Sequence, residues 1–319
     1  MLRQSPLFPY IRKETIAMKK AKVSPESSLQ KESPSRIIIA VLVCMGMMIV
    51  CLAIWTIWGN TALMVSEISV SSDRLPDSFS GCCIAQISDL HNAEFGDENK
   101  KLLRMLSESK PDIIVITGDL IDSRRTDAAV AIRFAKEAAE IAPTYYVTGN
   151  HEARMEHYEE LKFSLVNAGV TVLEDETAVW ERNSETVRLL GLNDPGFTIK
   201  GDLFGEIPAI ASTKLQAMLG EETGYTILLS HRPELFDTYA SCGIDLVLSG
   251  HAHGGQFRLP FIGGLYAPGQ GFFPRYDAGL YNKDKTSMVV SRGLGNSIIP
   301  IRFNNRPEMI LIKLSTGAK

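Results

Sequence analysis

Two stretches, Cys83-Ile-Ala-Gln-Ile-Ser-Asp-Leu-His91 and Ile113-Ile-Val-Ile-Thr-Gly-Asp-Leu-Ile-Asp122, share one construction: a short apolar, largely β-branched run that ends in carboxylates. Such runs are too short for a core helix and read as buried strands. The pattern recurs. Tyr145–Thr148 leads into Gly149-Asn150-His151-Glu152, Thr226–Ser230 into His231, and Leu246–Ser249 into Gly250-His251-Ala252-His253. Further strands are expected at Ala62–Val70, Val170–Leu173, Val187–Leu192, Ser287–Ser291 and Met309–Leu314. Helices are expected at Glu98–Ser109, Asp127–Ile141, Tyr158–Ala168 and Thr213–Leu219, the last three stopped by Pro143, Gly169 and Gly220. Strands alternating with helices define a layered α/β domain. Polar groups at strand C-terminal ends line the ligand crevice of such a sheet, so ligands distant in sequence converge there.

Five of the six histidines fall in these strand-end segments. Neutral imidazole and carboxylate are the groups that hold divalent first-row metals. Any one of these histidines alone could equally be a hydrogen-bonded structural residue; together, at strand ends, they point to metal. Asp89 and His91 can be aimed at one ion from a turn. Asp119 can place one carboxylate oxygen on each of two ions roughly 3.5–4 Å apart, with Gly118 allowing a tight turn beside them. Asn150 offers an amide oxygen, and His231, His251 and His253 offer imidazoles. His157 stands six residues after His151, the wrong spacing for a zincin helix, and reads as a surface residue at a helix start. Glu152 reads as a local hydrogen-bonding residue. No serine-hydrolase elbow, Walker A loop or dinucleotide fingerprint is present.

The order D-x-H, G-D-x-x-D, G-N-H-E, S-H, G-H-x-H resembles the calcineurin-like metallophosphoesterases, with all five blocks in order across residues 83–253. Similarity to the bacterial membrane-associated branch that includes YkuE and YaeI extends from about Ser66 through GHAHGGQFRLPFIGGLYAPGQGFF to SRGLGNSIIPIRFNNRPEMILIKL. The resemblance implies a four-layer αββα sandwich. It also implies two divalent ions, the first on Asp89, His91 and His253, the second on Asn150, His231 and His251, with Asp119 bridging. His151 would face the scissile phosphate, oriented by Asp122 through a hydrogen bond. Water activated between the ions would cleave a phosphodiester, pyrophosphate or phosphomonoester. Mixed N/O ligands suit Mn, Fe, Zn, Co or Ni, so the metal is not read from the residues. The competing reading is a binding module that keeps the fold without catalysis.

Residues 37–58, IIIAVLVCMGMMIVCLAIWTIW, carry no charge and as a helix span a hydrocarbon core of roughly 30 Å. They are expected to be a transmembrane signal anchor; a cleaved signal peptide is the alternative. Residues 1–36 hold eight Lys or Arg against three acidic residues, whereas residues 59–80 hold only Arg74. The basic, disordered tail is therefore expected in the cytoplasm, and the catalytic domain, residues 81–319, outside, preceded by a linker and first strand at 59–80. The tail's net +5 leaves −9 for the rest of a −4 chain, which disfavours nucleic acid. The bilayer and a phosphate ester, amphiphilic as a hypothesis, are the expected partners; oligomeric state is not legible. Cys82 and Cys83 are expected to point to opposite faces of a strand as small buried hydrophobes. The glycine- and aromatic-rich segment Gly254–Tyr281 either walls the crevice, with Arg275 near a phosphate, or forms a structural hairpin at the sandwich edge.

Overall fold

The computed structural model describes residues 34–199, 201–202, 205–296 and 300–317. The first sheet has the order β1 (Met64–Ser72), β16 (Glu308–Thr316), β2 (Cys83–Ile87), β3 (Ile113–Thr117), β4 (Thr144–Val147), β5 (Thr171–Val172). The second has the order β14 (Gly279–Lys283), β15 (Thr286–Val290), β9 (Leu246–Ser249), β8 (Thr226–Ser230), β7 (Glu185–Leu192), β6 (Glu176–Arg182). Strands β2 to β5 run parallel, as do β15, β9, β8 and β7. Two hairpins of two-residue strands, β10 (Arg258–Leu259) with β11 (Gly263–Gly264) and β12 (Tyr266–Ala267) with β13 (Gly271–Phe272), fill the segment after the last histidine pair.

Strand periodicity builds the layers. Ile84, Ile113 and Val115 face the second sheet and pack with Ile227, Leu229 and Leu248, while Ala85, Ile114 and Ile116 face the opposite way onto a helical layer. That layer is α2 (Lys100–Glu108), α3 (Ala128–Ile141) and α4 (Tyr158–Asn167), which contribute Leu102, Phe134 and Leu165. The second sheet buries Leu228, Val247 and Met288 under α5 (Ile207–Leu219) and α6 (Phe236–Ser241). Helices, sheet, sheet and helices stack as the αββα sandwich. Both parallel cores are apolar on both faces, which is why these strands read as continuous apolar runs rather than alternating ones. Cys82 and Cys83 do face opposite ways, into the inter-sheet and helix-facing cores respectively.

Apart from the short helix α6, which was not expected, the differences from the sequence reading lie at edges and element ends. β6 and β14 were not expected; both are antiparallel edge strands, β6 with exposed charged residues at its ends and β14 short, with Leu280 and Asn282 facing solvent, so neither stands out as an apolar run. Helix α5 starts six residues before Thr213, with Pro208 in its first turn where a missing N–H costs nothing. Asp127 caps α3 by accepting from the Ala129 N–H. Residues 59–80 supply β1 to the first sheet through nine parallel pairs with β16.

The apolar segment forms helix α1 (Pro34–Thr61), long and apolar enough to cross a membrane. The basic tail falls almost wholly outside the described residues. From Cys51 onward the chain is one compact unit, and the end of α1 is tied into it. The Asn60 side chain accepts from the Arg302 N–H at 2.8 Å and donates to the Arg302 carbonyl at 3.1 Å, while the Arg306 guanidinium lies over the Trp58 ring at 4.7 Å.

Candidate metal centre

Every histidine and carboxylate expected at the site emerges from a strand C-terminal end. Asp89 and His91 follow β2, Asp119 and Asp122 follow β3, Asn150 and His151 follow β4, His231 follows β8, and His251 and His253 follow β9. The sandwich therefore brings both sheets' loops to one place. Asp89, His91, Asp119 and His253 form one group of potential metal ligands, and Asp119, His231 and His251 a second, each within 4.8 Å and fully buried. Asp119 belongs to both.

The backbone turns through unfavourable conformations to do this. Asp89, His91, Asp119, His251 and His253, five of the seven expected metal ligands, have φ between 47° and 66°. Left-handed backbone is uncommon outside glycine and costs of order 1–3 kcal/mol per residue, persisting where the surroundings overdetermine it. Gly118, at φ 87°, precedes Asp119; a Cβ there would sit 2.7 Å from His231 Nδ1, so only glycine fits.

Hydrogen bonds aim the ligands. The Asp119 Oδ1 atom accepts the His151 N–H at 2.8 Å, which leaves Oδ2 3.2 Å from His231 Nε2 and 3.6 Å from His91 Nε2. A single oxygen thus faces both groups, rather than one oxygen facing each, because a backbone donor occupies the other. His231 Nδ1 donates to the Thr117 carbonyl at 2.8 Å, turning Nε2 inward, 3.1 Å from His251 Nδ1. His91 Nε2 lies 3.2 Å from His253 Nε2, which lies 3.3 Å from Asp89 Oδ1. Metal–ligand bonds of about 2.1 Å set neighbouring donors roughly 3.0–3.4 Å apart, so these spacings suit a divalent first-row ion. Asn150 presents its amide 2.7 Å from His251 Nδ1; rotated, the amide donates to that nitrogen, and unrotated its oxygen faces the ring as a co-ligand on a shared cation would.

Burial lowers the pKa of His91 to about 3 and pushes His251 and His253 well below 6.5, so these rings are neutral and their lone pairs available. Burial raises Asp89 to about 6, with Asp119 adding to the shift and His231 opposing it. His231 is the exception: burial opposes its charge, but Asp119 and Asp89 overcome burial and raise it to about 10. In the metal-free chain its proton offsets the clustered carboxylates.

His151 lies at the rim, its ring 4.4 Å from that of His91. Its Nδ1 accepts the Ser123 N–H at 3.0 Å, while Asp122 Oδ1 stands at 3.4 Å and is itself engaged by the Arg124 N–H and guanidinium. The orienting hydrogen bond comes from backbone next to Asp122 rather than from its carboxylate. Arg275, expected near a phosphate, pairs instead with Asp237 at 3.4 Å with its side chain largely exposed, and is not among the residues lining the mouth of the site. His157 is exposed beside Glu160 at the start of α4.

Glu152 does more than the local hydrogen bonding expected of it, and Arg232, Asp194 and Arg302 were not anticipated. Glu152 is buried and its carboxylate accepts the N–H groups of Asp119, Ile121 and Gly149 at 2.9, 3.3 and 2.8 Å, stapling two ligand loops together. Arg232 forks onto Asp194 at 2.6 and 3.0 Å and reaches His251 Nε2 at 3.1 Å. Arg302 is buried and its guanidinium approaches His253 Nδ1 at 3.4 Å. Arg232 directly follows the expected Ser230-His231 segment, a local signal; Arg302 carries none.

The sequence profile of the calcineurin-like phosphoesterase family matches residues 84–255, more than half the chain, and the chain belongs to that family. It is 30% identical over 256 residues to the uncharacterized metallophosphoesterase YkuE of Bacillus subtilis, covering 79% of this chain and 85% of that one. It is 29% identical over 237 residues to phosphodiesterase YaeI of Escherichia coli, covering 72% and 80%. A transmembrane protein with metallophosphoesterase domain from Danio rerio is 30% identical over 263 residues, covering 78% of this chain and 57% of that protein. The chain is a metal-dependent phosphoric ester hydrolase.

Two outcomes follow. Glu152→Ala leaves three buried N–H groups without an acceptor, about 1–3 kcal/mol each, so it should destabilise the protein by about 3 kcal/mol or more in urea and lower its metal content. Glu152→Gln should fall between it and the parent; parental stability for the alanine variant contradicts the staple. A cation held by the Asp119, His231 and His251 group would have to displace the His231 proton, so metal affinity should then rise with pH through neutrality toward about 10, with proton release between about pH 7 and 9. Calorimetry of Mn²⁺ binding in buffers of different ionisation enthalpy measures it; affinity independent of pH and buffer contradicts the arrangement.

Proposed function

We propose that this protein is a membrane-anchored dinuclear phosphoesterase. In this reading Asp89, His91 and His253 hold one divalent ion, Asn150, His231 and His251 hold the other, and Asp119 serves both. The single observation that carries the reading is Asp119 Oδ2, placed between the imidazoles of two otherwise separate ligand groups. When bound, such a pair of ions withdraws charge from a phosphoryl group and lowers the pKa of water between them.

The chain's own residues supply the rest. Arg124, Arg154 and Arg232 join Asn150, His151, His251 and His253 around a cavity of about 280 Å³ at the mouth of the cluster. Guanidinium groups match phosphate oxygens in charge and in planar geometry. Arg232 is held rigid by Asp194, and it and Arg154 also line an adjoining cavity of about 760 Å³ with Met155, Ile199 and Ile207, which gives room for a substituent beyond the phosphate. With Nδ1 accepting from Ser123, neutral His151 carries its hydrogen on Nε2. Burial, against the opposing charges of Asp119 and Asp122, moves its pKa below 6.5, so near neutral pH it acts as a hydrogen-bond donor toward a phosphoryl or leaving-group oxygen.

The substrate in this proposal is a phosphodiester or pyrophosphate of an amphiphile. The diester choice is supported by the phosphodiesterase named among the relatives. The amphiphile is supported by α1, read as an anchor spanning residues 37–58 with the basic N-terminal tail in the cytoplasm and the catalytic domain outside. A binding module without catalysis has no observation in its favour, since the ligands, His151 and the arginines converge on one open cavity.

Hydrolysis of bis-p-nitrophenyl phosphate by detergent-solubilised full-length protein, abolished by chelator and restored by Mn²⁺, is the expected result; no turnover of diester or monoester by the metallated protein favours the binding module. His151→Asn should retain metal and lose about 10²-fold or more in kcat, whereas Asp119→Ala should lose metal and activity together. Metal loss in His151→Asn equal to that in Asp119→Ala contradicts the assignment.

A further inference from the structure

Leu259–Pro274, which runs from the second residue of β10 through both hairpin turns and β13, contains sixteen residues and no charged side chain, although most of its large apolar side chains face solvent; the one charged residue of the hairpin strands is Arg258, which opens β10. Phe261 is fully exposed at the tip of the β10–β11 hairpin beside Ile262, and Phe272 and Phe273 are 71% and 60% exposed at the second hairpin. Phe261 and Phe273 also have φ of 67° and 54°. Strained backbone that displays phenylalanine to water opposes both the conformational and the hydrophobic preferences of that residue. The hairpins are braced: Asp277 accepts the Gly264 N–H at 2.6 Å and an Arg258 N–H at 2.9 Å.

The patch is continuous with the end of α1. Residues 301–303 run between them, Arg302 bonded to Asn60 on one side and the Phe303 carbonyl accepting the Arg258 N–H at 3.0 Å on the other. Buried Arg302 points inward, while Ile301 and Phe303 on either side of it are exposed, and the Phe303 ring stacks on Phe257. Trp55 and Trp58, in the last turns of α1, are about half exposed, and indole rings favour the level of lipid headgroups. An apolar, aromatic surface beside such a helix end suits an interfacial bilayer contact.

We propose that the two hairpins, with Ile301 and Phe303, dock into the outer surface of the same bilayer that α1 enters. Pro268 and Gly269, in the turn between β12 and β13, line the mouth of the metal cluster, so this contact holds the mouth against the headgroups, where the phosphate of a lipid-borne substrate lies. The proposal rests on the reading of α1 as an anchor and deepens the proposed substrate class.

The test uses full-length protein in phosphatidylethanolamine/phosphatidylglycerol vesicles containing doxyl-labelled lipid, with Phe261→Trp and Phe272→Trp compared to Phe163→Trp, an exposed position on α4. Parental emission should already be quenched through Trp55 and Trp58. The emission added by Phe261→Trp and Phe272→Trp should be quenched several-fold more strongly than that added by Phe163→Trp. Equal quenching at the three positions overturns the docking surface and leaves the anchor standing, as does shielding of the new tryptophans from aqueous acrylamide without lipid quenching, which would mean a protein partner. An unquenched parental protein overturns anchor and docking surface together.

Discussion

Asp119 can serve two ligand groups only because the chain leaving β3 turns through Gly118 into a left-handed residue, with His231 packed against the turn. That constraint organises the neighbouring loops. Gly118 carbonyl accepts the Asp89 N–H and Asp119 carbonyl accepts the His91 N–H, each at 3.0 Å, so the β3 loop sets the height of the β2 loop. The His151 N–H fixes one carboxylate oxygen and Glu152 fixes the backbone beneath it. Across the sandwich, Asp89 accepts the His251 N–H, which joins the second sheet's loops to the first.

The ligand loops consequently pull against local preference and are held by what lies behind them. Five strained ligand residues, buried carboxylates at close range and a charged His231 are each unfavourable for folding alone. Two apolar cores flank each parallel sheet, and their burial is what tolerates the cost. A cation that binds the folded cluster and not the unfolded chain returns stability by mass action. Local strain concentrated where the chemistry is expected is the pattern of a functional site rather than of a scaffold.

Much of this was legible in the amino-acid sequence, for a physical reason. Parallel strands buried on both faces must be continuously apolar, and their C-terminal ends must open onto the crevice, so Ile113–Thr117, Thr226–Ser230 and Leu246–Ser249 appear with the expected bounds and their following residues converge. The edge strands β6 and β14 escaped because an edge is little buried: β6 carries charged residues at both ends, and β14 is a short Gly-Leu-Tyr-Asn-Lys run with no buried side chain to mark it. Arg302 and Asp194 escaped because their roles depend on contacts with residues far away in the chain, which no local pattern encodes. The Ser123 N–H escaped for another reason: a backbone donor has no side-chain signature, and the neighbouring Asp122 carboxylate drew the expectation to itself.

The helix that precedes the domain and the aromatic hairpins beside its end give the site a setting as well as a chemistry. Under the proposed reading, a cavity walled by three arginines and opening next to uncharged, aromatic turns takes a phosphate whose substituents remain partly in lipid. All of this depends on one claim, that Asp119 joins two ions. Electron paramagnetic resonance of the Mn²⁺-loaded protein, alongside metal analysis, tests it most directly: the account predicts two manganese ions per chain with an exchange-coupled spectrum, and one ion per chain, or two with the six-line signal of isolated Mn²⁺, would contradict it.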